Sequence, residues 1–165
     1  MKTLSVPSTR PGFAIDRLRD HHRAQVLEHL MTLTEADRRM RFGHGAVDAI
    51  DRYVAGLDFE RELVLGAVEP HGALIGLAHV PVEADVAELG LSVLPQARRR
   101  GVGRELAIRA RWEAERRGAR AFRFHSTSSN DAMRRIAASL CMHVMLDGND
   151  LLAECGLPQR LRTAA

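Results

Sequence analysis

Seven consecutive residues carry the clearest chemical signal in the chain: Arg98-Arg99-Arg100-Gly101-Val102-Gly103-Arg104. They follow an apolar run that ends at Pro95, and a helical pattern starts at Val102. A strand feeding a glycine loop at a helix N-terminus aims free backbone N–H groups one way, and the helix dipole favours an anion there. Gly101 and Gly103 have no Cβ to hold a phosphate off the backbone. Arg98, Arg99, Arg100 and Arg104 add positive charge around the same spot. Two common phosphate sites do not fit. The dinucleotide fingerprint G-x-G-x-x-G would need a glycine where Leu106 stands. A P-loop needs a lysine after its last glycine, and the only lysine here is Lys2.

The rest of the chain must position that loop. At 165 residues it suits one domain with a real core. Apolar residues make up 45 % and charged residues 27 %, the balance of a globular protein. No apolar run reaches membrane-spanning length, and Met1 to Gly12 lacks the apolar segment of a secretory signal. A cytoplasmic protein is expected. Cys141 and Cys155 suggest neither a disulfide framework nor zinc, and the eight histidines show no metal-ligand spacing. No metal is therefore expected. The net charge of +3 suits an anionic small ligand. One Trp, one Tyr and five Phe, with no basic run beyond Arg98–Arg100, argue against nucleic acid.

Residues 1–11 read as a flexible lead-in, 12–155 as a single domain and 156–165 as a tail. Phe13 to Leu18 alternates as a strand. Helical spacing follows at His21 to Leu33, from an N-cap at Thr34 to Gly43, and at Ala46 to Leu57. Glu62–Val68, Ala73–Val82 and Asp85–Leu94 read as three strands with short connections, an antiparallel meander. Val102 to Arg117 is a helix with Leu106, Ala107, Ala110 and Ala114 inward and Gly118 after it. Ala121 to Ser126 is a strand. Asn130 then caps a helix with Met133, Ile136, Ala137 and Leu140 inward, and two short strands, Met142–Leu146 and Leu151–Glu154, close the chain.

Arg98-x-x-Gly101-x-Gly103 after a strand that opens with Glu88 resembles the pyrophosphate motif of the GNAT acetyltransferases. The element order resembles that family from about Phe13 to Glu154. The resemblance implies an α+β (α/β/α) GNAT fold: a mixed, mostly antiparallel sheet with helices on both faces. Its fourth and fifth strands, here 85–94 and 121–126, would splay apart to admit the pantetheine arm of acetyl-CoA. Ala87 to Val93 and Asn130-x-x-Met133-x-x-Ile136-Ala137 are most similar to the acetyltransferase domain of bacterial protein-lysine acetyltransferases.

The resemblance also implies roles. Glu88 would be the general base, with a solvent-facing glutamate paired to an arginine as the alternative. Leu91 and Val93 would offer backbone groups to the pantetheine amides. Residues 98–104, Val102 included, would hold the pyrophosphate. Asn130, with Met133 after it, would reach the arm near the thioester or serve as a plain cap. Arg41 to Gly45 would form one wall of the acceptor pocket. Many family members carry a tyrosine seven residues after the asparagine as acid for the leaving thiolate, and this chain has Ala137 there. Its only tyrosine, Tyr53, falls on a helical segment remote from the motif and reads as packing. His125 is the one histidine placed to face the acetyl group, with a satisfied structural histidine as the favoured alternative.

These features together point to an N-acetyltransferase using acetyl-CoA and an unidentified amine. A non-catalytic acyl-CoA-binding module on the same fold is the alternative, and an arginine-rich nucleic-acid-binding domain is a weaker one. A homodimer is compatible with the fold.

Overall fold

The computed structural model describes residues 12–43 and 47–158. The expected lead-in, most of the expected tail and positions 44–46 lie outside the described residues. The chain opens with strand β1 (Ala14–Arg17), then helices α1 (Arg23–Thr32), α2 (Glu35–Phe42) and α3 (Val47–Gly56). Strands β2 (Leu63–Val68), β3 (Leu74–Val80), β4 (Val82–Glu83), β5 (Val86–Glu88) and β6 (Gly90–Val93) follow. Helix α4 (Val102–Arg116), strand β7 (Ala121–Thr127), helix α5 (Asp131–Ser139) and strands β8 (His143–Asp147) and β9 (Asp150–Gly156) complete the order. Packing runs past residue 155: Leu157 is buried, and its N–H donates to the Arg120 carbonyl.

The apolar run 85–94 is not one strand but two. The ladder breaks at Leu89, and the chain changes sheets there. Before the break, β5 pairs parallel with β7, with Val86 opposite Ala121 and Glu88 opposite Arg123. After it, β6 pairs antiparallel with β3, with Gly90 opposite His79 and Val93 opposite Gly76. One sheet therefore has the order β1-β2-β3-β6 and the other β4-β5-β7-β9-β8. The last bond joining the two is from Leu89 N–H to the Arg123 carbonyl, at 2.8 Å. Beyond it β6 follows β3 and β7 follows β9, so a gap opens between them.

Each face of the sheets has its own core. On one side α1 and α3 bury Val26, Leu30, Ile50 and Val54 against Val64, Leu74 and Leu77. On the other, α4 and α5 bury Val102, Leu106, Ala107, Ala110, Ile136 and Ala137 against Leu65, Ile75, Ala78 and Phe122. The alanines of α4 fall at helical spacing, as the periodicity predicts, and let the helix lie close on β3. His29 ties the first side to the gap. Its Nδ1–H donates to the Leu74 carbonyl at 3.0 Å, and its Nε2 accepts from Ser92 Oγ at 2.9 Å. Burial lowers its pKa, partly offset by the Leu74 bond, so this buried ring is a neutral tether behind β6.

Candidate active site

The gap between β6 and β7 is a cleft of about 1030 Å³. Its geometry follows from the strand register. Leu94 N–H donates to the carbonyl of Ile75, so those two form a hydrogen-bonded antiparallel pair. Such pairs alternate, so Ser92 and Gly90 also turn their backbone groups toward β3, and Leu91 and Val93 turn theirs to the open edge. That edge is the one expected to receive an extended ligand.

At one end of the edge stands the glycine loop. Gly101 is the N-cap of α4 at φ 82°, a conformation natural to glycine, and no side chain caps the helix. The first helical bond runs from Glu105 N–H to the Gly101 carbonyl, so the preceding amides are free of the helix ladder. Arg99 is also left-handed, at φ 61°. A left-handed residue before free helical amides makes an anion-binding concavity. A Cβ on Gly103 would come no closer than 3.5 Å to Ile136, Val93 or Leu91, so packing within the chain does not demand this glycine. Its bareness suits an outside group.

The arginines divide. Arg99 and Arg104 line the cleft. Arg98 lines it too, but its guanidinium pairs with Asp37 at 2.6 Å and also donates to the Val93 carbonyl at 3.4 Å. Burial opposes ionisation of Asp37, yet bonds from Thr34 and Arg98 outweigh it and lower its pKa. Arg98 thereby ties α2 to the loop. Arg100 corrects the expectation of a cluster of four: it turns to Glu69 at 2.7 Å and to the Gly12 carbonyl, away from the cleft. The Glu69 carboxylate, paired at 2.7 Å, holds it there.

Asn130 and Met133 reach the cleft from α5. Asn130 Oδ1 accepts from the Met133 N–H at 3.2 Å, so it does cap the helix, and its amide NH2 has no other partner among the described residues. Ala137 is wholly buried, and the hydroxyl this helix does carry, that of Ser139 at its last residue, lines the cleft and donates to the Ile136 carbonyl at 2.8 Å.

At the other end is Glu88. The parallel register sets it opposite Arg123, and the two pair through Oε2 at 3.0 and 3.1 Å. The carboxylate lines the cleft and stays 42 % exposed, so water reaches it. His125, on the same face of β7, also lines the cleft.

Sequence reasoning misplaced the chemistry of this end in one respect. Tyr53 does not merely pack. It lines the cleft with Arg41 and His79. Its hydroxyl lies 2.6 Å from His79 Nδ1 and accepts from Arg41 at 3.0 Å. His79 Nε2 lies 3.1 Å from Glu62 Oε2. The Arg41 guanidinium also covers the rings of Phe42 and Tyr53. It lies so close over Gly90 that a Cβ there would overlap it, which explains the glycine at the first residue of β6. Burial raises the Tyr53 pKa against the pull of Arg41. Burial lowers the His79 pKa against the pull of Glu62. Both are neutral near pH 7. The four groups come from α2, α3, the segment before β2, and β3, so only Arg41, expected at the acceptor pocket, was announced by the sequence. Among the described residues no cluster of His, Cys, Asp or Glu could hold a metal ion, and no helix is long and apolar enough to cross a membrane.

A meander whose last strand changes sheets, followed by a glycine loop, a helix and a parallel strand, is the topology of the GNAT fold, and an acetyltransferase is the class it defines. The profile of the acetyltransferase (GNAT) family matches residues 17–141, and the chain belongs to that family. Solved structures agree on the fold. The GNAT domain of PAT from S. lividans superimposes with a TM-score of 0.75 at 17 % identity, over 88 % of this chain and 90 % of that one. A putative acetyltransferase from Salmonella typhimurium, solved with its cofactor acetyl-CoA, gives 0.74 at 20 % identity over 93 % and 98 %. The ribosomal-protein-S18-alanine N-acetyltransferase of Escherichia coli gives 0.69 at 18 % identity over 93 % and 99 %. No curated protein matches the chain.

Proposed function

We propose that this enzyme transfers an acetyl group from acetyl-CoA to a primary amine by direct attack in a ternary complex. The observation that carries the reading is the unpaired edge of β6, which runs from the Gly101–Gly103 loop to Glu88. The pyrophosphate sits on the amides of residues 101–104 beside Arg99 and Arg104. The pantetheine amides pair with Leu91 and Val93 as an added strand, and Asn130 donates from α5. A structural neighbour solved with acetyl-CoA supports this ligand. The acceptor is a small-molecule amine or a protein lysine or N-terminus, and the motifs at 87–93 and 130–137, which resemble protein-lysine acetyltransferases, support the protein acceptor. The unpaired cysteines suit a cytoplasmic location.

In the reaction the amine nitrogen attacks the thioester carbon, a C–N bond forms and the C–S bond breaks. Glu88 takes the proton that the nitrogen loses as the bond forms, through a water at Oε1, because Arg123 holds Oε2. That proton goes on to the thiolate. The test is CoA release from acetyl-CoA with spermidine, a lysine-containing peptide and an alanine-initiated peptide. Glu88→Gln is expected to lower kcat by about 10² or more, the usual weight of a general base, at unchanged acetyl-CoA affinity. Unchanged turnover would refute the role of Glu88. Thermal stabilisation by acetyl-CoA with no turnover on any amine would favour a non-catalytic binding module.

A further inference from the structure

We infer that Tyr53, His79 and Glu62 form a proton exit that draws the first proton from the acceptor's ammonium group, with Arg41 setting its direction. The inference rests on the acetyl-transfer reading. An amine arrives as an ammonium ion at neutral pH and must lose two protons. Glu88 accounts for the one lost as the C–N bond forms. The other must leave before attack, because an ammonium nitrogen has no lone pair.

The hydrogen bonds on the opposite wall of the cleft admit one set of donors. Arg41 has only N–H groups, so it donates to the Tyr53 oxygen at 3.0 Å. The hydroxyl proton of Tyr53 is then free for His79 Nδ1, 2.6 Å away. An imidazole that accepts at Nδ1 carries its proton on Nε2, which donates to Glu62 Oε2 at 3.1 Å. The same Glu62 oxygen accepts from the Asp58 N–H at 3.0 Å, which fixes the carboxylate. The chain thus points from the cleft outward. His79 is 8 % exposed, and the Glu62 side chain is 30 % exposed to water.

The transfer balances. An ammonium N–H gives its proton to the Tyr53 oxygen as the hydroxyl proton passes to His79 Nδ1. The imidazolium so formed lies against the Glu62 carboxylate, which stabilises it, and its Nε2 proton leaves through Glu62 to solvent. Nothing is oxidised or reduced. The Arg41 cation beside Tyr53 favours the neutral amine over the ammonium ion. The charged groups acting on Tyr53 and His79 are Arg41 and Glu62. Glu88 and His125 line the cleft from β5 and β7. Tyr53 is the catalytic member, and His79 and Glu62 position and discharge it.

The test is the pH profile of kcat/KM for wild type, Tyr53→Phe and His79→Gln with the same three acceptors, beside acetyl-CoA affinity as a check of folding. Tyr53→Phe is expected to lose about 10² at pH near 7 with spermidine and the lysine peptide, and less with the alanine-initiated peptide, whose α-amine has a pKa of about 8. It should regain most of that near pH 10, where solvent deprotonates the amine. His79→Gln should follow the same profile, and Glu88→Gln should stay depressed at every pH. A Tyr53→Phe profile equal to wild type, or lowered by the same factor at every pH, would overturn the exit and leave acetyl transfer standing. No CoA release by wild type would overturn acetyl transfer and the exit with it. Should His79→Gln fail to bind acetyl-CoA, Tyr53→Phe alone decides.

Discussion

The two ends of the cleft are built by different means. The anion end is one contiguous stretch, residues 98–104, and its working groups are backbone amides set by Gly101 and the start of α4. The opposite end takes side chains from α2, α3, β3, β5 and β7, which meet only in the folded chain. Backbone amides of a short loop need little beyond their own φ/ψ, so they are robust and readable locally. Side-chain networks need every contributing element in register, and one displaced group disables the rest. The difference predicts that binding of acetyl-CoA and turnover can be separated by substitution.

Beyond Glu88→Gln and Tyr53→Phe, such a separation is expected from Gly90→Ala. The added Cβ collides with the Arg41 guanidinium, the far end of a flexible side chain, so the fold survives and Arg41 moves off Tyr53. We expect kcat to fall about tenfold or more, on the scale of a lost catalytic hydrogen bond, with acetyl-CoA affinity within about twofold of wild type. Equal losses in both, measured by steady-state kinetics and calorimetry, would show that the two ends are not independent.

A smaller effect concerns pH and stability. The folded pKa values of His29 and His79 lie below the ordinary 6.5, chiefly through burial. The unfolded chain therefore binds protons that the folded chain refuses, and stability falls as pH drops through 6.5. Each histidine contributes at most about 1.4 kcal/mol per pH unit. At about 2–4 °C per kcal/mol for a chain of this size, Tm should drop by several degrees between pH 7.5 and about 5.5. His79→Gln should flatten the slope. A Tm constant over that range would mean that neither ring is held neutral.

The same contrast explains what the sequence revealed. The glycine loop, the alanine face of α4 and the Asn130 cap each lie within one element, so periodicity and spacing suffice. The change of sheets at Leu89 is invisible locally, because the apolar run continues through two strands that face different partners. Arg100 looked like its neighbours until Glu69 claimed it from 31 residues away. Tyr53 and His79 carried no signal, being a tyrosine on an amphipathic helix and a histidine in an apolar strand. Their partners, Arg41 and Glu62, are 12 and 17 residues distant.

The claim that an acyl-CoA arm lies along β6 as an added strand is tested most directly by residue-resolved amide hydrogen exchange with and without acetyl-CoA. Gly90 and Ser92 already face β3 and should exchange slowly in both states. Leu91 and Val93, with the amides at 102–104, should exchange fast alone and slow sharply when acetyl-CoA is added. Protection that appears elsewhere, with Leu91 and Val93 unchanged, would contradict it.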